Sequence, residues 1–381
     1  MPAVDPIFEA AMPAKREVPY VNMAGQWREE RDELLPIIEE VLAEGHWVGG
    51  AAVPRLEAAV ARLCGVEHAV ALNSGTDALV CGMAALGIGP GDEVITPPNS
   101  FIASTAAIVQ LGARPVFIDV REDQNIDPDL IEAAITPNTK AVMPVHLTGR
   151  VADMAPILEI AGRHGLAVVE DAAQSIGSRH DGRPSGGIGR VGCFSTHPLK
   201  NLNSCGDGGF LTTDDAAVAE AVRARRNHGL VTRDRVERFG QVSRMDTLQA
   251  AILGYRLGRL EDVIRRRRAN AALYLERLDP AHVFVPPERE REFNTYHTFV
   301  VQVDRRDELR AFLKARGVET AIHYPVPIHL QPAAGDLGYG PGDFPVTERQ
   351  AGRILTLPVN QTLVPEDIVY VSDLINGFYR A

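Results

Sequence analysis

From Ala51 to Thr213 the chain alternates between helix-like and strand-like segments at short intervals, and several of the strand-like ones are apolar without interruption. VPRLEAAVARLCG has helical spacing and HAVALN that of a strand; TDALVCGMAALG, ending at Gly87, is followed by EVITPP. SFIASTAAIVQLG with RPVFIDV, PDLIEAAI with TKAVMPVHL, and MAPILEIAGRHG with LAVVEDA repeat the pairing. A strand with one face in water alternates apolar and polar residues. A continuous apolar strand is buried on both faces, as in mainly parallel sheets covered by helices. Gly and Pro mark the joins. The expected fold is α/β, a mainly parallel sheet flanked by helices, with ligands at the carboxyl ends of its strands.

The texture changes after Ala216. AAVAEAVRARRNHG is helical, and the run from Met245 to Leu278 fits a helix that starts near Asp246 and bends or breaks between Gly254 and Gly258. Beyond Pro280 the alternation resumes on a smaller scale: HTFVVQVD (strand), RDELRAFLKARG (helix), VETAIHY (strand) and PVPIHLQP, a Pro-rich loop. At 381 residues the chain is long for one core. A division near Leu260 to Arg265 gives a large domain with an N-terminal arm, 1–260, and a smaller C-terminal α+β domain, 261–381. The arginine run Arg265 to Arg268 reads as a solvated helix face or a subunit contact.

Apolar residues make up 45% and charged residues 23%, the balance of a folded globular enzyme. With 39 basic against 50 acidic residues the net charge is −11. No positive surplus is available to displace counterions from nucleic acid, although a local cluster of donors can still hold a phosphorylated ligand. The cysteines (Cys64, Cys81, Cys193, Cys205) lack CxxC or zinc-type spacing and read as buried thiols in a reducing compartment. The first twenty residues carry carboxylates and prolines where a signal peptide needs an apolar core, and no apolar run approaches membrane-spanning length. A cytoplasmic protein that binds neither nucleic acid nor membrane is expected.

Three segments carry candidate chemistry. In LAVVEDAAQ, an apolar run ends in Glu170 and Asp171 with Gln174 three residues on. A carboxylate there can keep a cofactor's pyridine nitrogen protonated, and Gln174 can bond its phenolic oxygen; a helix-capping Asp with a surface Gln is the plainer reading. Lys200 is one of four lysines, with Lys15, Lys140 and Lys314, and lies between FST and GDGG in a polar, turn-rich setting. Buried, it could lose its proton and act as nucleophile and base; a structural lysine is the alternative. Ser195 and Thr196 offer hydroxyls to a phosphate nearby. In NSGTDAL, Gly75, Thr76 and Asp77 sit where a helix N-terminus could bind phosphate, or where Ser74, Thr76 or Asp77 simply caps the helix. Gly187 to Gly192 matches GxGxxG by letters, but no strand precedes it and no helix follows, so a dinucleotide site is rejected. His146, His297, His323 and His329 lack HxxxH spacing, and no metal site is expected.

Taken in order, NSGTDAL, PPNSFIASTAAI, VHLTG, VVEDAAQSIG, FSTHPLKNLNSCGDGG, RNHG, SRMDTLQAAIL and IHYPVPIHLQP resemble the DegT/DnrJ/EryC1/StrS sugar aminotransferases, a branch of the fold-type I pyridoxal-phosphate enzymes. The resemblance covers nearly the whole chain from about residue 45. It implies pyridoxal 5'-phosphate as cofactor, with Lys200 as the Schiff-base lysine and Asp171 at the pyridine nitrogen as catalytic residues. It implies Gln174 at the phenolic oxygen, Gly75, Thr76, Asp77 and Ser195 around the phosphate, and Phe101 stacked on the ring. His329 and Tyr324 fall in the substrate-contacting segment. The implied reaction moves an amine from L-glutamate to a nucleotide-linked 3- or 4-keto sugar, in a homodimer whose site lies at the subunit interface. An inosose, a keto-sugar phosphate or a non-catalytic regulatory role are the alternatives. One position departs from the family: where GYNSRMD carries an Asn that reaches the neighbouring subunit's phosphate, this chain has Val242, and Ser243 or Arg244 would take over that contact.

Overall fold

A computed structural model describes residues 16–380. Lys15 and the first fifteen residues, on which much of the reading against a signal peptide and part of the N-terminal arm rest, lie outside the described residues. Helix α1 (Met23–Glu44) and α2 (Ala52–Cys64) precede a seven-stranded sheet. In chain order its elements are β1 (His68–Leu72), α3 (Gly75–Ala85), β2 (Glu93–Thr96), α4 (Ala103–Gln110), β3 (Arg114–Phe117) and β4 (Thr139–Val142). They continue with α5 (Met154–His164), β5 (Ala167–Asp171), β6 (Val191–Ser195) and β7 (Gly209–Thr213). The spatial order is β1-β7-β6-β5-β4-β2-β3, parallel throughout except for β7, which runs against both neighbours.

The uninterrupted apolar strands have the cause expected of them. Val70, Leu72, Val94, Ala141, Val169, Val191, Cys193 and Leu211 face one side, against α3, α4 and the following helix α6 (Ala216–Arg225). Their chain neighbours Ala69, Ala71, Phe194 and Phe210 face the other side, against α2 and α7 (Thr247–Leu257), while Ile95, Val142 and Val168 meet α5 there. Both faces are largely dry, so successive side chains along these strands are mostly apolar.

The long helical run breaks at Gly258–Arg259, between α7 and α8 (Leu260–Arg277). Leu260 and Ile264 pack in the large-domain core, Ala271 and Tyr274 in the C-terminal one, so we place the domain boundary inside α8. The C-terminal core surrounds a three-stranded antiparallel sheet, β8 (Val283–Phe284), β9 (Phe299–Val303) and β10 (Ile354–Leu357). Helices α9 (Arg306–Ala315), α10 (Pro345–Arg353) and α11 (Pro365–Arg380) accompany it. The N-terminal segment joins this core and not the large one: Val18 is buried in it and bridges Val318.

Several local expectations change. VETAIHY forms no strand, only the isolated bridges Val18↔Val318 and Ala321↔Thr356; Pro325 and Pro327, which follow it, supply no amide to continue a ladder. PDLIEAAI yields a 3₁₀ turn and a single helical turn. RHDGRPSG contains a minimal hairpin, Arg179–His180 with Arg183–Pro184, yet the Gly run beyond it enters β6 and no helix. The arginine run is not uniformly solvated: Arg267 is 6% exposed and bonds the carbonyls of Tyr296 and His297. Cys205 is exposed, unlike the other three cysteines.

Candidate active site

Side chains on β5 alternate between the faces of the sheet, and this separates its two carboxylates. Asp171 lies on the side of α4, where Ser104 Oγ donates to its Oδ2 at 2.6 Å and the Ala173 N–H to its Oδ1 at 3.2 Å. Glu170 lies on the opposite side, fully buried, and accepts from the N–H groups of Gly186, Ile188 and Gly189 at 2.8, 2.8 and 2.6 Å. His146 Nε2 adds a 2.8 Å bond, while its Nδ1 accepts the Ala152 N–H, so the neutral ring carries its proton toward Glu170. Burial would raise the Glu170 carboxyl; His146 and these amides outweigh it and hold it below its ordinary value. The letters of a dinucleotide motif thus fold around a carboxylate of the same chain. Gly189 is required there, because a Cβ would lie 2.7 Å from the Val168 carbonyl.

The end of β1 turns at Asn73–Ser74 into α3. Ser74 Oγ accepts the Asp77 N–H at 3.1 Å, so the cap is Ser74. The N–H groups of Gly75 and Thr76 find no acceptor among the described residues, as expected of a first helical turn that can hold an anion. Gly75 sits against Ser195 at the end of β6, where a Cβ on it would come within 2.6 Å of the serine's Cβ. Ser195 Oγ accepts the His197 N–H at 3.2 Å.

Lys200 follows β6 in a turn closed by its N–H on the His197 carbonyl. Its side chain is half-buried, and among the described residues no hydrogen bond or ion pair holds its Nζ. Burial lowers its pKa to about 8, with the charge of Asp171 acting in the opposite sense. Gln174 is buried, and its Oε1 accepts the Thr148 N–H at 2.8 Å. That bond fixes the amide so that its NH2 is free to donate, near the Tyr324 hydroxyl. Tyr324 has its phenol pushed up by burial and by the Asp171 charge, and its ring lies 5.7 Å from that of Phe101, which is 55% exposed. Lys200, Asp171, Gln174, Tyr324 and Phe101 are therefore brought together, with Gly75, Thr76, Asp77 and Ser195 at the adjoining strand ends.

His329 is placed elsewhere. It is 3% exposed, with Nε2 3.1 Å from Glu348 Oε1 and its ring edge-on to Phe344, in a cluster with Phe117 and Ile328 beside edge strand β3. Packing of the apolar Ile328 draws the turn into that cluster, so its ring is not offered to a substrate in this arrangement. Ser243 is likewise engaged within its own chain: fully buried, its Oγ donates to Asn73 Oδ1 at 3.0 Å, behind the loop that leads to Gly75. Val242 is 52% exposed and Arg244 exposed, with Nη1 on Asn227 Oδ1 at 3.1 Å.

Other residues of the site escaped the sequence reading. Ser104 stands one helical turn after Phe101, a spacing that could have singled it out. His323 precedes Tyr324, with Nδ1 2.9 Å from Thr356 Oγ1; burial and the Lys200 charge bring its pKa down to about 4. His297 is lowered by burial and by Lys200. Nothing local in the sequence singles out Thr148 or Tyr20.

Comparison with known proteins bears on this arrangement. The model of the DegT/DnrJ/EryC1/StrS aminotransferase family matches residues 28–376. A dTDP-3-amino-3,4,6-trideoxy-alpha-D-glucose transaminase of Streptomyces venezuelae is 42% identical, covering 94% of this chain and 95% of its own. A pleiotropic regulatory protein of Geobacillus stearothermophilus is 40% identical over 95% of this chain and 99% of its own. Among solved structures, S. venezuelae DesV in complex with a ketimine intermediate superposes with a TM-score of 0.94 at 42% identity, covering 96% of this chain and 99% of that one. Bacillus subtilis NtdA with bound cofactor PMP gives 0.88 at 32%, covering 97% and 86%. A family model spanning nearly the whole chain, matched by a sheet that collects lysine, carboxylate and free helix amides at one edge, makes this protein a member of the DegT/DnrJ/EryC1/StrS aminotransferase family.

Proposed function

We propose that the protein binds pyridoxal 5'-phosphate and transfers an amino group from L-glutamate to a nucleotide-linked keto-sugar. The observation that carries this reading is Lys200 itself, an amine with a pKa near 8 and no partner among the described residues, beside the anchored carboxylate of Asp171. The residues fit the cofactor on their own chemistry. Gly75 and Thr76 present N–H groups without acceptors to its phosphate, with Asp77 and Ser195 beside them. Asp171 is an acceptor for a protonated ring nitrogen, the Gln174 NH2 is a donor for its phenolic oxygen, and Phe101 covers its ring.

When bound, the cofactor supplies an aldehyde that takes up the amine and a ring that accepts electrons from the substrate carbon. Lys200 would hold the cofactor and, as a neutral amine, would take a proton from the substrate carbon and return it. Asp171 would face the ring nitrogen and favour its protonated form. Ser104 holds the carboxylate in place. The sugar relatives support the acceptor class, and Tyr324 is the substrate-side residue that the geometry favours.

Purified protein is expected to absorb in the visible, and L-glutamate alone to bleach that band. Lys200→Ala should abolish both the band and turnover, and an unchanged spectrum in this variant would sink the assignment. A coloured protein inert to every amino donor would instead favour the regulatory role that the G. stearothermophilus relative's name carries.

A further inference from the structure

Tyr20 is a residue of the candidate site that neither the mechanism nor the sequence reading uses. The segment Arg16–Tyr20 is tied to the C-terminal domain at every step. Arg16 pairs with Asp367, the Val18 N–H donates to the Gly317 carbonyl, and the Glu319 N–H donates to the Val18 carbonyl. The Tyr20 N–H donates to Glu319 Oε2 at 3.0 Å, while Asn360 Nδ2 donates to the carbonyls of Pro19 and Tyr20. So fixed, the Tyr20 ring lies 5.9 Å from that of His323, the residue beside Lys200, and its charge is felt at Tyr324. Its hydroxyl makes no hydrogen bond among the described residues. Burial pushes the Tyr20 phenol up to about 12, partly offset by the buried Arg267, which bonds carbonyls and Gln361 and has no carboxylate partner among the described residues, so the hydroxyl stays protonated and able to donate.

A rigidly held aromatic ring with an unengaged donor at the rim of a site is the usual means of gripping a polar, uncharged ligand. We propose that Tyr20 is a substrate-contacting, specificity-determining residue whose hydroxyl donates to a hydroxyl or ring oxygen of the sugar, beside Tyr324. This rests on the sugar-aminotransferase reading above. Phe101, Tyr324 and His323 then form the apolar and aromatic surround, and the N-terminal segment supplies the polar contact from outside the sheet.

The test compares the full chain with Tyr20→Phe, which keeps the ring. Binding is measured by calorimetry with dTDP-glucose and UDP-N-acetylglucosamine, against dTDP and UDP alone. The variant should bind the sugar nucleotides roughly three- to tenfold more weakly, the scale of one neutral hydrogen bond, and the bare nucleotides equally well. The rate at which L-glutamate bleaches the visible band should not change. Equal weakening toward bare nucleotides, or unchanged binding throughout, overturns the proposal. A slowed glutamate reaction also overturns it, because Tyr20 would then act by positioning His323 and Lys200. A wild-type protein that responds to glutamate but binds neither sugar nucleotide overturns it as well, together with the sugar reading of the function but not the aminotransferase reading.

Discussion

Lys200 shows how a burial effect becomes a measurable one. An exposed lysine titrates near 10.5, whereas this one is brought to about 8. In the cofactor-free protein, acylation of Lys200 followed by mass spectrometry should therefore reach half its maximal rate near pH 8. A labelling profile for Lys200 that reaches half its maximum only near the ordinary lysine value of about 10.4 would remove the ground for its role. Between about pH 8 and 10.5 the unfolded chain binds more protons at this site than the folded one, so the cofactor-free protein should also gain stability as pH rises through that window. Asp171 offers a second test at this scale. Its hydrogen bond from Ser104 is one between a hydroxyl and a carboxylate, so Ser104→Ala should lower kcat by about tenfold with little change in KM for glutamate. A variant with wild-type kcat would make Ser104 merely structural.

At the scale of elements, strand β5 divides two adjacent acids between chemistry and structure. Their adjacency was legible in the sequence; their different roles were not, because these depend on which face of the sheet each meets. The pleat sends Asp171 to α4 and Glu170 to the loop Gly186–Gly189, and only the folded loop reveals why those glycines are there. Glu170→Gln places an amide donor where amides already donate. It should cost about 2–4 kcal/mol of stability, because charge-assisted hydrogen bonds are lost and a buried amide N–H is left without an acceptor. Denaturant unfolding measures that loss, and kcat at a temperature where the variant is folded should stay near wild type. A selective loss of kcat without loss of stability would show that the two carboxylates are not separated in function. The strands themselves were readable because both faces are apolar, whereas VETAIHY looked like a strand from its β-branched residues alone. His329 shows a related limit: its motif position says nothing of the apolar neighbours Ile328 and Phe344 that cluster around it.

For the whole molecule, the open question is what covers the apolar surface around the site. Trp47, Val48, Phe101, Ile102, Leu199 and Val242 are each between 42% and 60% exposed. Trp47 and Val48 are tied to the start of α7, where the Thr247 N–H donates to the Trp47 carbonyl and Val48 bridges Asp246. Arg244 therefore stands only a few residues from that patch, and Phe101 and Leu199 belong to the segments that flank Lys200. Exposed aromatic and aliphatic groups concentrated around a polar site mark an interface more often than a free surface. We propose that a second copy of the chain covers them, so that each site is completed by its partner. Sedimentation velocity should then show a dimer for the wild type and a shift toward monomer for Trp47→Glu, which places a charge in the contact. If the partner contributes to holding the cofactor, that same variant should lose its visible band on dilution faster than the wild type, in parallel with dissociation. A monomeric wild type with full activity would show that the site is complete within one chain, and a monomeric Trp47→Glu that keeps its cofactor would show that the partner only shields the patch.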